Sequence, residues 1–309
     1  MAAKGTTIWL AAGGAFLLLA LAGCGAATVK KTEKLPAEKI LPLRTASLEE
    51  LLTRLEEQEA AIVSINAVAV LVPSTGSAYS GVIEEYHDLR AFLLAQRQPA
   101  AAAGDGRDER RQVRVVGQAP LVRKTIFDMA ADEAGFRVLL PTKNKFIVGS
   151  NEIRRPRQKA IENLRPQHLF DAVFFPGPNP SAPHLLEENE FDAQRFYAVS
   201  EIAAGGGGRW WLARKWWFDR SGLALARAQR FLPDGRLVSD VHYAGWEAGT
   251  APYPRQIVLV RPQEDYRLKL VIKEIRLNEA LAPEKFRLEQ PADTELVDLN
   301  EEEPPEGRP

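Results

Sequence analysis

Alternation of apolar and polar residues, the pattern typical of β-strands, runs through most of the chain from Asn66 onward. The alternating runs are short and are bounded by Gly, Pro or Asn, as expected for strands joined by hairpins. The candidate strands are 66–72, 78–87, 89–97, 111–118, 122–130, 135–140, 145–149, 194–203, 209–219, 223–232, 236–244, 255–261 and 265–277. The pattern predicts a mainly β (α+β) fold, with one antiparallel sheet that curls around helices.

Two segments carry a helical period instead. The stretch 47–50, Ser-Leu-Glu-Glu, has the spacing of a capping box, and apolar residues then recur at helical intervals as far as Ile65. A second helix is predicted over 167–175, and a Pro-rich loop follows at 179–183. Residues 98–110 are rich in Ala and Gly, which indicates a flexible insertion within a hairpin.

The N-terminus has the pattern of a bacterial secretion signal. Lys4 precedes an apolar stretch over 8–21 that is too short for a comfortable membrane span. The sequence Leu-Ala-Gly-Cys at 21–24 follows directly and resembles a lipobox, in which the Cys24 thiol accepts a diacylglyceryl group. Cys24 is the single cysteine of the chain, which excludes an intrachain disulfide and a Cys-based zinc site. The alternative is an uncleaved anchor with an incidental cysteine.

These patterns divide the chain into four parts. Residues 1–23 are predicted to be a lipoprotein signal peptide, and 24–46, with four Lys and two Pro, a lipidated tether. The folded domain is predicted over 47–300, and the acidic, Pro-rich residues 301–309 as a disordered tail. At least two acyl chains, palmitate among them, would hold the protein on a membrane, because one chain binds only marginally.

The composition gives no support for nucleic-acid binding or for an enzyme. A net charge of −1 supplies no bulk attraction to phosphate. The four histidines form no metal-binding spacing, and the glycines at 205–208 lack the Lys-Ser/Thr of a phosphate-binding loop. Asp128, Asp132 and Glu133 lie at a predicted turn, where acidic residues are common. The sequence therefore predicts no catalytic residue, no metal and no cofactor.

One strand candidate, 209–219, is unusually aromatic. Alternation places Trp210, Leu212, Trp216 and Phe218 on one face, and it also places apolar residues on the other face. A sheet with one buried face would normally alternate apolar with polar residues. Either a helix covers the second face or the sheet encloses a wide apolar cavity, and both explanations can hold together.

Several short motifs resemble the lipoprotein-localisation (LolA/LolB) family. Gln-Ala-Pro-Leu at 118–121 resembles the Pro-Leu loop of the outer-membrane receptor LolB, in which a protruding leucine is functionally important. Further similarity to the receptor is carried by 169–177 with its final Phe-Phe-Pro-Gly and by 253–257 with 268–270, whereas 286–288 looks more like the carrier LolA. With the lipobox, their order makes the chain most similar to the receptor.

The resemblance implies an incomplete antiparallel β-barrel, closed by helices, whose apolar interior binds acyl chains of lipoproteins or lipids. It implies a lipid-anchored protein at the periplasmic face of the outer membrane, where Gly25 after the cysteine also fits the sorting rule of enteric lipoproteins. A periplasmic LolA-like carrier would be its partner. The residues expected to bind lipid are Trp210, Leu212, Trp216, Phe218, Phe174 and Phe175, and those of a membrane-insertion loop are Pro120 and Leu121.

Two questions remain open at the level of sequence. Leu121 follows a proline at a turn, where it could protrude or be tucked against the core. The alternative function is a lipid-binding scaffold or envelope-stress sensor, because related sensors share the fold.

Overall fold

The computed structural model describes residues 42–77, 82–85, 88–99, 109–151, 163–191, 194–249 and 251–300. The chain divides at Pro42, and the described residues from Leu43 onward belong to the second unit. The predicted signal peptide, Cys24, most of the tether and the acidic tail lie outside the described residues.

In the described part of the chain the second unit contains two α-helices and fifteen strands. Helix α1 spans Leu48–Ala60 and α2 spans Pro166–Phe174. The strands are β1 Ser64–Ser77, β2 Val82–Glu85, β3 Leu89–Pro99, β4 Glu109–Gln118, β5 Thr125–Asp132, β6 Gly135–Leu140, β7 Lys145–Gly149, β8 His184–Phe191, β9 Gln194–Ala204, β10 Trp210–Asp219, β11 Ala224–Phe231, β12 Leu237–Glu247, β13 Tyr253–Arg261, β14 Tyr266–Leu277 and β15 Glu295–Asp298. Neither described helix is long and apolar enough to cross a bilayer.

The strands form one sheet that curls without closing. Its order is β15-β7-β6-β5-β4-β3-β1-β14-β13-β12-β11-β10-β9-β8, with β2 beside the end of β1. In a flat sheet β4 and β11, six strands apart, would be separated by about 29 Å at ~4.8 Å per strand. The Asp171 carboxylate of α2 nevertheless lies 3.1 Å from Arg111 of β4 and 3.7 Å from Arg230 of β11. The two arms of the sheet therefore curve around α2.

The predicted fold class, a mainly β curled and open sheet with helices, is confirmed. Neighbouring strands pair antiparallel except β15 and β7, which are parallel. Within the described residues the end strands β15 and β8 do not pair with each other. The predicted hairpin around 98–110 is present, since Pro99 of β3 pairs with Glu109 of β4. The rest of that insertion, 100–108, lies outside the described residues.

Helix α1 begins where the sequence predicts and ends earlier. The Ser47 hydroxyl accepts a hydrogen bond from the Glu50 N–H, and the Glu50 carboxylate accepts one from the Ser47 N–H, which confirms the capping box. The helix does not continue to Ile65, which is buried in β1 instead. The Asn278 side chain stabilises the turn at this point, because it donates to the Ala61 carbonyl and accepts from the Val63 N–H.

The acidic residues near 128–133 have structural partners. Arg114 donates two hydrogen bonds to the Asp128 carboxylate, at 2.9 and 2.7 Å, and others to the carbonyls of Lys285 and Arg287. Asp132 accepts a hydrogen bond from Arg137. The Arg114 contacts hold the C-terminal segment against β4 and β5.

Candidate functional site

Helix α2 lies on the concave side of the sheet, between its two arms. It packs against β4 and β5 on one side and β13 on the other. Pro166 occupies the first turn, where a missing N–H removes no helical hydrogen bond. Leu169, Phe170, Val173 and Phe174 recur at helical spacing, and each is at most 2% exposed. Helix α2 therefore covers the interior of the sheet, and its apolar side chains are buried there.

An aromatic cluster fixes the C-terminal end of α2. Phe175 follows the helix with a φ of 50°, a left-handed conformation that costs a non-glycine residue roughly 1–2 kcal/mol. Its ring centroid lies 5.0 Å from Tyr243, 5.6 Å from Trp246 and 5.4 Å from Tyr253. Each such pair contributes about 0.5–1.5 kcal/mol beyond burial, so the cluster offsets the strain.

Two tyrosines also bind the last carbonyls of α2. The Tyr243 hydroxyl donates to the Ala172 carbonyl, and the Tyr253 hydroxyl donates to the Val173 carbonyl, both at 3.1 Å. Carbonyls in a final helical turn lack helical partners, so these bonds satisfy buried acceptors. Burial raises the pKa of both tyrosines, and a nearby Asp171 adds to the rise at Tyr243. Both hydroxyls therefore remain donors.

We expect Tyr253→Phe to lower the free energy of unfolding by about 1–2 kcal/mol, because it leaves the buried Val173 carbonyl without a partner. Urea unfolding of the fragment 43–309 measures this. Tyr197→Phe is the matched control, since Tyr197 is also buried and its hydroxyl has no hydrogen bond within the described residues. Equal losses in the two variants would contradict a specific role for the bond to α2.

The N-terminal half of α2 is held by polar contacts. His168 hydrogen-bonds through Nδ1 to the Tyr266 hydroxyl. Burial, reinforced by the positive charges of Arg261 and other arginines, lowers the pKa of His168 well below its usual range, so this histidine is neutral. Arg261 itself donates two hydrogen bonds to Glu264, at 3.0 and 2.8 Å.

The structure brings four of the six predicted lipid-binding residues together in the interior. Phe174, Phe175, Trp216 and Phe218 are each between 1% and 3% exposed, and they belong to one continuous core cluster. Their role in binding acyl chains stays a prediction.

The other two predicted lipid-binding residues lie on the opposite face of β10. Ala213 is the extra residue of a β-bulge, because Leu212 and Arg214 pair with adjacent residues of β9. The bulge reverses the alternation, so Trp210 and Leu212 face the convex side of the sheet. The prediction that they share a face with Trp216 is therefore wrong.

Helix α2 lies on the concave side of the sheet, in one buried cluster with Trp216 and Phe218, and this packing favours a filled interior over a wide cavity. Two open surface pockets of about 680 and 960 Å³ lie among the described residues, and none of the predicted lipid-binding residues lines either of them. The smaller lies between the β12–β13 loop and the end of β14, and the larger lies beside α1. Binding of an acyl chain in the interior would therefore require α2 to move.

A compact loop at 119–124 presents two apolar side chains to solvent. The Ala119 N–H donates to the Lys124 carbonyl, and the Arg123 N–H donates to the Ala119 carbonyl, which closes the loop. Leu121 is 95% exposed and Val122 is 74% exposed. Leu121 therefore protrudes rather than packing against the core. The predicted strand 122–130 is corrected here, since β5 begins three residues later at Thr125.

The sequence did not single out a buried carboxylate beside the segment that follows α2. Glu201 of β9 is 4% exposed and accepts a hydrogen bond of 2.6 Å from the Asn179 N–H. His184 and Arg214 lie 3.4 and 3.6 Å from the same carboxylate. Arg214 also donates to the Gly177 carbonyl. This cluster fixes the segment after α2 to the strands β8–β10.

No family model and no curated protein sequence matches the chain. Among solved structures, a DUF1329 family protein from Desulfovibrio piger gives a TM-score of 0.49 at 16% identity, over 77% of this chain and 94% of that one. A putative outer membrane lipoprotein-sorting protein domain from Vibrio parahaemolyticus gives 0.49 at 12% identity, over 78% and 97%. A LolA superfamily protein from Nitrosomonas europaea gives 0.43 at 12% identity, over 79% and 99%. Nothing in these neighbours identifies the LolB receptor as the nearest relative.

Proposed function

We propose that this protein is a lipid-anchored envelope protein that binds acyl chains beneath α2, receives lipoproteins and passes them into the outer membrane. The observation that carries the proposal is the exposed tip Leu121–Val122, which is followed by Arg123 and Lys124. Moving a leucine side chain out of water yields about 1.5–3 kcal/mol, so a bilayer would stabilise this tip. The two cations favour the same location, next to lipid phosphates.

The closed interior is compatible with cargo binding on energetic grounds. The two tyrosine hydrogen bonds at the end of α2 contribute about 1 kcal/mol each. The half-exposed ion pairs of Asp171 contribute about 0.2–1 kcal/mol each. Burying an acyl chain yields about 0.8 kcal/mol per methylene, or on the order of 11 kcal/mol for a ~14-carbon chain. Cargo binding can therefore offset the loss of these polar contacts, provided that the apolar face of α2, which carries Leu169, Phe170 and Phe174, packs against the bound chain instead of being exposed to water.

Release of the cargo requires an environment that binds its acyl chains more favourably than the interior of the protein does. A bilayer touched by the Leu121 loop provides it, because the chain passes from protein to lipid without exposure to water. A periplasmic LolA-like carrier would deliver the cargo in the first place. Lipidated Cys24 would keep the receiving protein at the target membrane.

We expect the fragment 43–309 to bind an apolar fluorescent probe in a saturable way, because the interior offers an apolar site once α2 moves. An acylated peptide should displace the probe, and the same peptide without its acyl chain should not. Titration followed by probe fluorescence measures both. A well-folded fragment that takes up no probe would show that side chains fill the interior permanently, and the acyl-binding proposal would fail.

A second candidate function is a lipid-anchored scaffold or envelope-stress sensor that carries no cargo. The fully packed interior around Trp216 and Phe218 favours it. Deletion of the gene separates the two functions. Mislocalised lipoproteins support the receptor, whereas normal sorting with an altered stress response supports the sensor.

A further inference from the structure

A second exposed loop leaves the sheet at the same end of the strands as the Leu121 loop. We call this end of the strands the loop edge, to distinguish it from the outermost strands β8 and β15. From β4 to β9 along the sheet all neighbouring strands pair antiparallel, and β9 lies eight strands from β4, so these two strands run in the same direction. The loops at 119–124 and 205–209, which follow these two strands, therefore both leave from the loop edge. The second loop leads into Trp210, which is 62% exposed.

The glycines of the second loop leave this tryptophan uncovered. A Cβ atom added at Gly206, Gly207 or Gly208 would meet nothing within 4 Å, so the loop projects into open space. The Gly205 N–H donates to the Arg209 carbonyl at 2.7 Å, which fixes the base of the loop beside Trp210. The indole is consequently presented on a fixed strand end, without neighbouring loop side chains to shield it.

The chemistry of the loop edge matches an anionic phospholipid surface. Tryptophan combines an apolar body with an N–H donor and is enriched at the headgroup level of membranes. Arg209, Arg123 and Lys124 are exposed and form no ion pair within the described residues. Elsewhere on the loop edge the exposed Ile83 is followed by two exposed glutamates, so it lacks this cationic setting.

We propose that Arg209 and Trp210 form a second membrane-contact point, with the indole at the headgroup level of a bilayer that contains anionic phospholipid. The inference rests on the proposed function, because it assigns the Leu121 loop to the same membrane. The two loops belong to different arms of the curled sheet. Two contacts hold the loop edge against the bilayer, whereas one contact leaves the domain free to tilt away from it.

Tryptophan quenching in vesicles tests the contact. The full-length lipidated protein is reconstituted into vesicles of phosphatidylethanolamine and phosphatidylglycerol that carry brominated acyl chains, which quench nearby indoles. We expect Trp210→Phe to reduce the portion of the tryptophan emission that the bromine atoms quench at least roughly twofold, because an indole at the membrane interface lies close to them. Trp217→Phe is the matched control, because Trp217 lies on the same strand beside Lys215 and Arg227, away from the loop edge. It should leave the quenching unchanged.

Equal quenching in wild type and Trp210→Phe would overturn the contact. If Trp216→Phe, rather than Trp210→Phe, removes the quenching, the brominated chains have entered the interior. That result would overturn the membrane contact and support acyl binding. Transfer of a labelled lipopeptide from the Leu121→Glu variant to liposomes tests the proposed function separately. Normal transfer in Leu121→Glu together with lost quenching in Trp210→Phe would refute the loop's role in transfer while supporting the membrane contact.

Discussion

Replacing Cys24 with serine should give a precursor that carries no lipid and retains residues 1–23. The reason is chemical, because the proposed lipid would be joined through a thioether and Cys24 supplies the only thiol of the chain. Processing of lipoprotein precursors follows lipid attachment, so cleavage should be lost as well. Metabolic labelling with a fatty-acid analogue, followed by intact-mass measurement, detects both changes.

A matched variant guards against a general defect in secretion. Gly23→Ala keeps a small residue before the cysteine and should be labelled like wild type. If the Cys24→Ser variant incorporates as much label as the wild type, the prediction of a lipobox is wrong. The N-terminal segment would then be an uncleaved anchor with an incidental cysteine.

Leu121→Glu should greatly slow transfer of a labelled lipopeptide to liposomes while the protein stays fully folded. Leu121 is 95% exposed, so the free energy of unfolding should change by no more than ~0.5 kcal/mol, as at most surface positions. A charged side chain in the bilayer costs about 3 kcal/mol. If the loop must enter the bilayer for release, transfer should slow on the order of a hundredfold. Thermal unfolding and lipopeptide transfer are measured on the same preparation.

Phe191→Glu provides the control for an added surface charge. Phe191 is 75% exposed at the end of β8, and it lies at the opposite end of the strands from the Leu121 loop. The Phe191→Glu variant should be as stable as the wild type and should transfer lipopeptide at the wild-type rate. If Leu121→Glu unfolds early, Leu121 contributes to the core. A stable Leu121→Glu variant with normal transfer would leave the loop without a role in release.

The sequence predicted the regular strands well because hairpin turns and alternation are local signals. Two edge strands, β8 and β15, escaped notice for a physical reason. Each is paired on one side only, and β8 combines exposed apolar residues with several glutamates, so its alternation is weak. Leu121 could be singled out because a large apolar residue after Pro120 at a turn is unusual, but the sequence left open whether it protrudes or packs against the core.

The remaining errors concern features that depend on distant residues. The bulge at Ala213 is defined by pairing with β9, and nothing in the local sequence of β10 marks it. The early end of α1 depends on Asn278, which comes from the far end of the chain. Whether Trp216 lines an open cavity or a filled core depends on the volume that α2 occupies, which alternation cannot reveal.

Photocrosslinking of a bound acyl chain tests the central claim most directly. An acylated peptide with a diazirine near the end of its chain is incubated with the full-length protein in vesicles, irradiated and analysed by peptide mass spectrometry. If acyl chains bind beneath α2, we expect adducts on interior residues, namely Trp216, Phe218, Phe174 and Phe175, and fewer of them when excess unlabelled acylated peptide competes. Adducts confined to exposed residues such as Trp210 and Leu121, or none on a folded protein, would contradict acyl binding beneath α2.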